Sequence, residues 1–328
     1  MNRYLRQNAV PGYGGDVQAK LAAAHVVVIG AGGLAAPVLP YLAGAGIGHV
    51  TIVDPDHVEL SNLHRQVHFR EEDIGQPKAK AAARHLLALN SGIRISPVVA
   101  RLDPSNAGAF IGGASLILDC ADSFAASYTL SDACHSLARP LISASVIGTE
   151  GYAGGFCGGS PSLRAVFPDL PDTWGTCAES GVLGPVVGMI GALQAQMALA
   201  ALAGAAPSPL GQLVTLDART YRYGGFRFDG APEPDTAFRF IAPGTLQDRD
   251  WIIDLRRPDE GPLAAPRARR AGVQELTDMT PPDGARAVLA CRSGLRAWQA
   301  ASRLAAHWHG EIALVALGDT THTGGDPE

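Results

Sequence analysis

Residues 25–54 read HVVVIGAGGLAAPVLPYLAGAGIGHVTIVD, and this stretch decides the fold class. Two short segments, HVVVIG and HVTIVD, carry apolar residues on both faces and flank a glycine-containing turn and a helical segment. Strands of this kind, joined by a helix, are typical of a βαβ unit in a parallel sheet with helices on both faces. We therefore expect an α/β fold.

The same alternation continues outward from this unit. We expect a helix over 78–89, a strand at SLILDC (115–120), a helix over 124–137 and a strand at PLISASV (140–146). Strands and helices in this order predict a doubly wound, mostly parallel, Rossmann-like sheet. Its ligand site would lie at the carboxyl ends of the strands.

A second, smaller α/β unit is predicted near the C-terminus. The stretch FDGAPEPDTA (228–237) has the Pro, Gly and Asp content of a linker, and the apolar strands WIIDLR, AVLAC and IALVAL follow it. We expect domains at 1–232 and 233–328, with residues 319–328 as a frayed tail.

Composition excludes some partners and one compartment. The net charge of -5 gives no positive field to attract nucleic acid or an anionic membrane. The five cysteines are odd in number and widely spaced, unlike a disulfide-stapled secreted domain. The N-terminus lacks the apolar core of a signal peptide, so we expect a cytoplasmic protein.

One apolar stretch, 182–206, is long enough to be considered as a membrane span. Gln194 and Gln196 lie in its middle, several glycines interrupt it, and no basic flank follows. We therefore predict a helix buried on all sides, inside a core or a subunit interface.

A nucleotide site is predicted at the turn after the first strand. Gly30, Gly32 and Gly33 let the backbone approach a phosphate, and the helix that follows presents free N–H groups. Asp54 ends the second strand, where such folds place an acid on ribose hydroxyls. The layout serves both NAD and ATP, and a plain strand–helix packing turn is an alternative interpretation.

Charged residues after Asp54 favour ATP. Arg65 and Lys78 can neutralise triphosphate oxygens, and Asp122 can hold magnesium just past the end of a strand. An NAD hydride site requires none of them. Each also has a structural alternative: Arg65 as a surface ion pair, Lys78 as a first-turn helix residue after Pro77, and Asp122 as the N-cap of the next helix.

Taken together, seven features in order resemble the MoeB/ThiF family of ubiquitin-activating-like adenylyltransferases, from Arg3 to Phe228. They are RYLRQ (3–7), GAGGLA (30–35), the strand end at Asp54, SNLHRQ (61–66), GQPKA (75–79), DCAD (119–122) and TCAESGVLGP (176–185). The resemblance implies a homodimer in which Arg6 of one subunit reaches the ATP of the other.

The resemblance also implies the chemistry and the roles of the site residues. Asp54 would bind ribose, Asn62, Arg65 and Gln66 would surround the nucleotide and its phosphates, Lys78 would bind phosphate, and Asp122 would act with Mg²⁺. The C-terminal glycine carboxylate of a ubiquitin-like sulfur-carrier protein would attack the α-phosphate of ATP. The resulting acyl-adenylate would then accept sulfur for a thiocarboxylate, as in thiamine or molybdopterin biosynthesis.

The sequence departs from this family at the usual zinc site and in the motif that contains Asp122. Many relatives carry two Cys-x-x-Cys pairs, but the place of the first reads Ser162-Leu-Arg-Ala165 and no second pair follows Phe228. No structural zinc is therefore expected. In DCADSFAAS, Ser123 replaces a common asparagine and Ser127 a common arginine, and either change is expected to weaken nucleotide contacts.

Two cysteines are candidates for covalent chemistry. Cys177 matches a family cysteine that can link to the carrier, and an incidental thiol is the alternative. Cys291, between the strand AVLAC and a helix, begins a loop with Arg292 and Arg296 that we expect to lower its pKa and support a persulfide. The pattern resembles the active loop of rhodanese domains, in a shortened version that lacks the usual stretch between 258 and 276.

The predicted function is therefore carrier-protein adenylyltransferase with possible sulfurtransferase activity, using ATP and Mg²⁺. The sulfur donor would be a cysteine desulfurase or thiosulfate. Two alternatives remain open: a noncatalytic partner that binds a ubiquitin-like protein, and an NAD-dependent oxidoreductase. The C-terminal unit has an alternative of its own, as a decayed and noncatalytic rhodanese-like domain.

Overall fold

The computed structural model describes residues 2–169 and 181–318. They form an eight-stranded sheet followed along the chain by a five-stranded sheet. The strands of the first sheet are β1 (His25–Ile29), β2 (His49–Val53), β3 (Arg94–Val98), β4 (Leu116–Asp119), β5 (Pro140–Ile147), β6 (Glu150–Cys157), β7 (Gln212–Asp217) and β8 (Arg222–Arg227).

Helices precede, connect and follow these strands. They are α1 (Leu5–Asn8), α2 (Gly15–Ala23), α3 (Ala35–Ala45), α4 (Lys78–Leu89), α5 (Ala107–Ile111), α6 (Phe124–Ser136), α7 (Leu163–Val166) and α8 (Gly184–Ala203). The predicted strands and helices of this part are confirmed, and the bounds of α4 are those expected from the sequence.

The first sheet is doubly wound, as predicted. Its order is β3-β2-β1-β4-β5-β6-β7-β8, with the first five strands parallel and the last three antiparallel. Alternate residues of β1 enter different cores: Val26 and Val28 pack with α3 and α8, whereas Val27 and Ile29 pack with α6. Burial on both faces explains why β1 is apolar from Val26 to Ile29.

Helix α8 is the helix in the described residues that is long and apolar enough to cross a membrane, and half of its most apolar window is buried in the fold. It packs on α3, β5 and β6. Gln194 is fully buried and donates to the carbonyls of Asp119 (2.7 Å) and Ile142 (3.0 Å), so its amide is satisfied inside the core. Met189 and Gln196 are exposed in the single chain, so its own core buries only part of the helix, and burial of the remaining side chains in a subunit interface stays a prediction.

The second sheet has five parallel strands in the order β11-β10-β12-β13-β9. They are β9 (Arg239–Phe240), β10 (Trp251–Asp254), β11 (Arg269–Arg270), β12 (Ala287–Cys291) and β13 (Ile312–Ala316), and α9 (Leu295–Ala305) packs against β12 and β13. We call residues 239–318 the C-terminal unit. The tail predicted at 319–328 lies outside the described residues.

Candidate functional site

The predicted glycine turn joins β1 to α3 at the carboxyl edge of the first sheet. Gly30 has φ +93°, and an ideal Cβ there would lie 2.6 Å from the carbonyl oxygen of Cys120. Only glycine fits this conformation and this close approach. At Gly32 the nearest atom to such a Cβ is the Gln66 side-chain nitrogen, at 3.7 Å, so the turn has open space on that side.

Asp54 lies directly beside this turn. Its carboxylate accepts hydrogen bonds from the backbone N–H of Ala31 (2.6 Å) and of Asp56 (2.8 Å), and the residue is only 4% exposed. Burial raises the pKa of Asp54, and nearby Lys78 opposes that rise. The carboxylate therefore fixes the turn, and each oxygen has a further lone pair for a ligand hydroxyl.

Lys78 begins α4 and is 7% exposed. Its Nζ lies 3.1 Å from the carboxylate of Asp56, and its backbone N–H donates to the Asp56 carbonyl at 2.8 Å. Lys78 is therefore a first-turn helix residue, and its ammonium also makes a charged contact at the site. Asp56 is a positioning residue that the sequence analysis missed, although the acidic pair in DPD directly after β2 was a signal for it.

Asn62, Arg65 and Gln66 form a hydrogen-bonded group on the other side of the turn. Arg65 donates to the Asn62 side-chain oxygen (2.8 Å), and its Cγ lies 3.5 Å from the position of a Cβ on Gly33. Gln66 is 3% exposed, and its side-chain oxygen has no hydrogen-bond partner among the described residues. A buried, unpaired acceptor beside an open turn fits a ligand that donates a hydrogen bond.

Asp122 is exposed just beyond β4, and the capping alternative for it is wrong. The N-cap residue of α6 is Ser123, not Asp122. Asp119, three residues earlier, is fully buried and accepts from the Ser143 hydroxyl (2.8 Å) and the Ala121 N–H (3.2 Å). Asp119 therefore holds the turn between β4 and α6, and Asp122 lies in this turn without capping the helix.

Arg6 lies far from this group within one chain. Gln7, beside it in α1, donates to the carbonyl of Ala45 at the last residue of α3, whereas the glycine turn precedes the first residue of α3. A helix of 11 residues separates the two by about 16 Å. The structure brings together the other predicted nucleotide residues but not Arg6.

Cys291 ends β12 in the C-terminal unit and is fully buried. Its Sγ accepts from the N–H of Gly294 (3.1 Å) and of Ala297 (3.4 Å). Burial nevertheless raises its pKa, so the prediction of a lowered pKa is wrong. Arg296 lies near enough to oppose the rise, but its guanidinium donates to the carboxylate of Glu260 at 2.8 and 2.5 Å.

The other described cysteines are buried too, and burial raises the pKa of each. Cys177 lies outside the described residues. In the described part of the chain, His, Cys, Asp and Glu side chains form no group of three or more suited to a metal. Mg²⁺ commonly takes one or two carboxylates and completes its shell with substrate phosphates and water, so Asp122 fits that role with a nucleotide.

Ser162 stands where relatives were expected to carry a zinc-binding pair. Its backbone N–H and its hydroxyl both donate to the carboxylate of Glu233, at 2.7 and 2.6 Å. The adjacent Arg164 is 5% exposed and pairs with Asp132 at 2.6 Å. Hydrogen bonds and an ion pair hold this segment to its neighbours.

Comparison with known proteins agrees with this arrangement. The ThiF family model matches residues 4–236. The Yarrowia lipolytica protein named adenylyltransferase and sulfurtransferase UBA4 is 43% identical over 205 residues, 62% of this chain and 52% of that protein. The Haloferax volcanii SAMP-activating enzyme E1 is 38% identical over 220 residues, 66% of this chain and 82% of that protein.

A third relative, the sulfur carrier protein adenylyltransferase of Thermus thermophilus, is 38% identical over 226 residues, 66% of this chain and 83% of that protein. The match spans about half the length of the Yarrowia protein. Among solved structures, E. coli MccB crystallised with ATP superposes with a TM-score of 0.62 at 25% identity, covering 72% of this chain and 74% of MccB.

Proposed function

This chain belongs to the ThiF family, and from that premise we propose that it uses ATP to adenylylate the C-terminal glycine of a ubiquitin-like sulfur-carrier protein. One observation supports this most strongly. The open glycine turn, buried Asp54, the Lys78 ammonium and the Arg65 guanidinium adjoin one another at the carboxyl edge of the sheet. Edges of this kind bind nucleotides in doubly wound folds.

Each residue then has a defined task. The N–H groups of the turn and of the first turn of α3 would bind phosphate oxygens, while Asp54 would accept from the ribose hydroxyls. Arg65 and Lys78 would neutralise the triphosphate, with Asn62 and Gln66 fixing Arg65 and the nucleotide. Asp122 would hold Mg²⁺, which offsets charge on the phosphates.

The reaction follows from this positioning. The glycine carboxylate oxygen attacks the α-phosphorus, the α–β phosphoanhydride bond breaks, and pyrophosphate leaves with its electron pair. No protein base is needed, because a carboxylate is already the nucleophile. Rate enhancement would come from alignment and charge neutralisation.

The oligomer and partners belong to the proposal as well. We infer a homodimer in which Arg6 completes the partner's site, since Arg6 is remote from the site of its own chain. A carrier protein is the substrate that fits the names of the relatives, and a cytoplasmic location fits the four cysteines of the described residues, which are all free thiols. Cys177 would be the thiol that links to the carrier.

We assign the C-terminal unit a sulfurtransferase role, with Cys291 as the thiol that receives sulfur from a cysteine desulfurase or thiosulfate. The N–H groups that point at Cys291 Sγ support this role, because such donors also bind a persulfide anion. The proposed domain division at 232/233 falls between the last strand of the first sheet and the first strand of the second.

ATP–pyrophosphate exchange tests the function. The wild-type chain should exchange labelled pyrophosphate into ATP only when a purified ubiquitin-like carrier ending in glycine is added. The same carrier without its last glycine is the matched control and should support no exchange. An NAD-dependent oxidoreductase or a noncatalytic binding partner would show no exchange with either carrier.

A further inference from the structure

We propose that the C-terminal unit delivers sulfur to the nucleotide site of its own chain, at the contact between the Cys291 loop (residues 291–294) and the start of α6. The inference rests on the proposed function. It specifies which nucleotide site receives sulfur from each Cys291, and which part of the chain must move for the transfer.

The contact joins residues 170 positions apart. The carbonyl oxygen of Ser293 accepts from the hydroxyl of Ser123 and from the backbone N–H of Ala125, both at 3.3 Å. The side chain of Ser123, the N-cap residue of α6, makes no capping bond of its own. A carbonyl of the C-terminal unit therefore satisfies a first-turn N–H that helices usually cap with a local side chain.

This contact brings the ligand-binding edges of the two sheets together. Cys291 is the last residue of β12, and Ser123 follows Asp122 just beyond the end of β4. A second contact lies nearby, where a Cβ on Gly318, beyond β13, would collide with the guanidinium of Arg101, beyond β3. Loops that follow strands of the second sheet therefore contact loops that follow strands of the first sheet, at the carboxyl edges of both.

Around this contact, aromatic and apolar side chains of the C-terminal unit pack against those of the first sheet and its helices. Trp298 of α9 packs against Tyr128 of α6 with ring centroids 5.1 Å apart. The guanidinium of Arg164 lies 4.9 Å from the Tyr128 ring and 5.5 Å from the Trp298 ring, and its ion pair with the half-buried Asp132 holds it there. One apolar cluster includes side chains from both sheets. These contacts favour a fixed C-terminal unit over one that swings between sites.

The same contact also blocks access to the Cys291 thiol. Cys291 is fully buried, and a Cβ on Gly294 would lie 2.7 Å from the Phe240 ring and 3.1 Å from the Ala125 Cβ. Neither a sulfur donor nor an acyl-adenylate can reach Sγ in this arrangement. Release of the Ser293 carbonyl from α6 would open the loop beside Asp122, so a loop movement suffices.

The transfer balances with a thiol reductant. Thiosulfate attacked by the Cys291 thiolate leaves a persulfide and releases sulfite. The terminal sulfur attacks the carbonyl carbon of the acyl-adenylate, a C–S bond forms, the C–O bond to phosphate breaks, and AMP leaves. A low-molecular-weight dithiol then cleaves the S–S bond, giving the thiocarboxylate and the Cys291 thiol while the dithiol becomes a disulfide.

Mixed subunits test the pairing of sites. Lys78→Ala should be unable to adenylylate the carrier, and Cys291→Ser should be unable to carry sulfur as a persulfide. Differently tagged chains are co-purified to isolate mixed dimers, and thiocarboxylated carrier is measured with ATP, thiosulfate and dithiothreitol. Delivery within a chain predicts no more product from the mixture than from the two variants measured separately.

Recovery toward about one half of the wild-type rate in isolated mixed dimers, the value for one intact site of two, would overturn the inference. Absence of pyrophosphate exchange by the wild-type chain would instead refute the proposed function, and this inference with it. Normal exchange without thiocarboxylate in the wild type would refute the delivery step alone.

Alkylation of Cys291 tests the closed contact without any carrier. Iodoacetamide labelling is followed by peptide mass spectrometry. Ala125→Gln should displace the loop and raise the rate at least about tenfold, whereas Ser136→Gln, at the exposed end of the same helix, should match wild type. Ser123→Ala, which removes one hydroxyl, should raise it by a smaller factor. Wild-type labelling as fast as that of Ala125→Gln would overturn the contact.

Discussion

Asp119 and Asp122 are three residues apart and have opposite environments. Asp119 is fully buried, burial raises its pKa, and it bonds to Ser143 and to the backbone of its own turn. Asp122 is exposed at the carboxyl edge of the sheet. The buried carboxyl shapes the turn, and the exposed one is available to a cation.

Asp122→Ala is therefore expected to lower ATP–pyrophosphate exchange by more than about 100-fold, because the nucleotide-bound Mg²⁺ loses its protein carboxylate. Thermal unfolding should stay close to wild type, since no capping bond is lost. Asp278→Ala, at an exposed carboxylate in the C-terminal unit, is the matched control. Normal exchange by a folded Asp122→Ala chain would exclude the proposed role.

Cys291 shows where residue-scale reasoning from the sequence stops. The arginines and glycine of its loop were visible, but burial depends on Phe240 and Ala125, which are distant in the chain. Because burial raises its pKa, the alkylation rate of Cys291 should reach half its maximum at a pH above the ordinary pKa of a free thiol. A midpoint near neutrality would show an activated thiolate and contradict this account.

At the scale of elements, the sequence predicted the strands whose apolar pattern is continuous. In the first sheet it missed β3 and β6, and in the second it missed the two-residue strands β9 and β11. The glycines of β6 (EGYAGGFC) weaken its own strand preference, and its strand form depends on pairing with β5 and β7 on both sides. β3 contains Pro97, which is tolerated because β3 is the edge of the sheet. In both β6 and β3, the strand form depends on neighbouring strands rather than on the residues of the strand itself.

The connection after β8 gives an element-scale prediction. Glu233→Ala would leave the N–H and hydroxyl of Ser162, which is 3% exposed, without their acceptor. We expect the free energy of unfolding to fall by about 1–3 kcal/mol. Urea denaturation measures it, with the exposed neighbour Asp235→Ala as the control. Equal losses in the two variants would mean that the Glu233–Ser162 bonds contribute nothing specific.

The ion pair between Glu260 and Arg296 makes the C-terminal unit sensitive to acid. The Arg296 guanidinium lowers the pKa of Glu260 from 4.5 to about 2. A lowered acid pKa contributes stability that is complete above the ordinary pKa and is lost as the pH falls through the folded value, here between 4.5 and about 2.

Glu260→Gln should therefore lower the free energy of unfolding at neutral pH by about 1–2 kcal/mol, a value reduced for solvent screening of a partly exposed pair. The difference from wild type should shrink to zero as the pH approaches 2. Urea unfolding across this pH range measures both. A difference that is constant with pH would show that the substitution acts through packing rather than through the charge.

At the scale of the molecule, the two sheets were predictable and their contact was not. Each sheet follows from local sequence patterns, whereas the hydrogen bond from the Ala125 N–H to the Ser293 carbonyl depends on how two surfaces fit. The grouping of Asp54, Lys78 and Arg65 was predictable because strand ends meet at one edge of a parallel sheet. Arg6 lies far from this group within one chain, and the proposed homodimer would bring it to the site of the partner.

That position predicts complementation between inactive variants. Arg6→Ala and Lys78→Ala should each lose pyrophosphate exchange, and mixing them should restore about one quarter of wild-type activity, since half of the dimers are mixed and each has one intact site. Subunit exchange is confirmed by co-purification of tagged chains. No recovery despite exchange would mean that Arg6 does not complete the partner's site.

Intact mass spectrometry of the carrier tests the central claim most directly. After incubation with ATP, Mg²⁺ and the wild-type chain, a ubiquitin-like carrier ending in glycine should gain the mass of one adenylyl group, which is AMP less one water. The carrier without its terminal glycine should gain none, and neither should the full carrier incubated with Lys78→Ala. An unmodified carrier with the wild-type chain, or an AMP adduct that forms equally well with Lys78→Ala, would contradict the account.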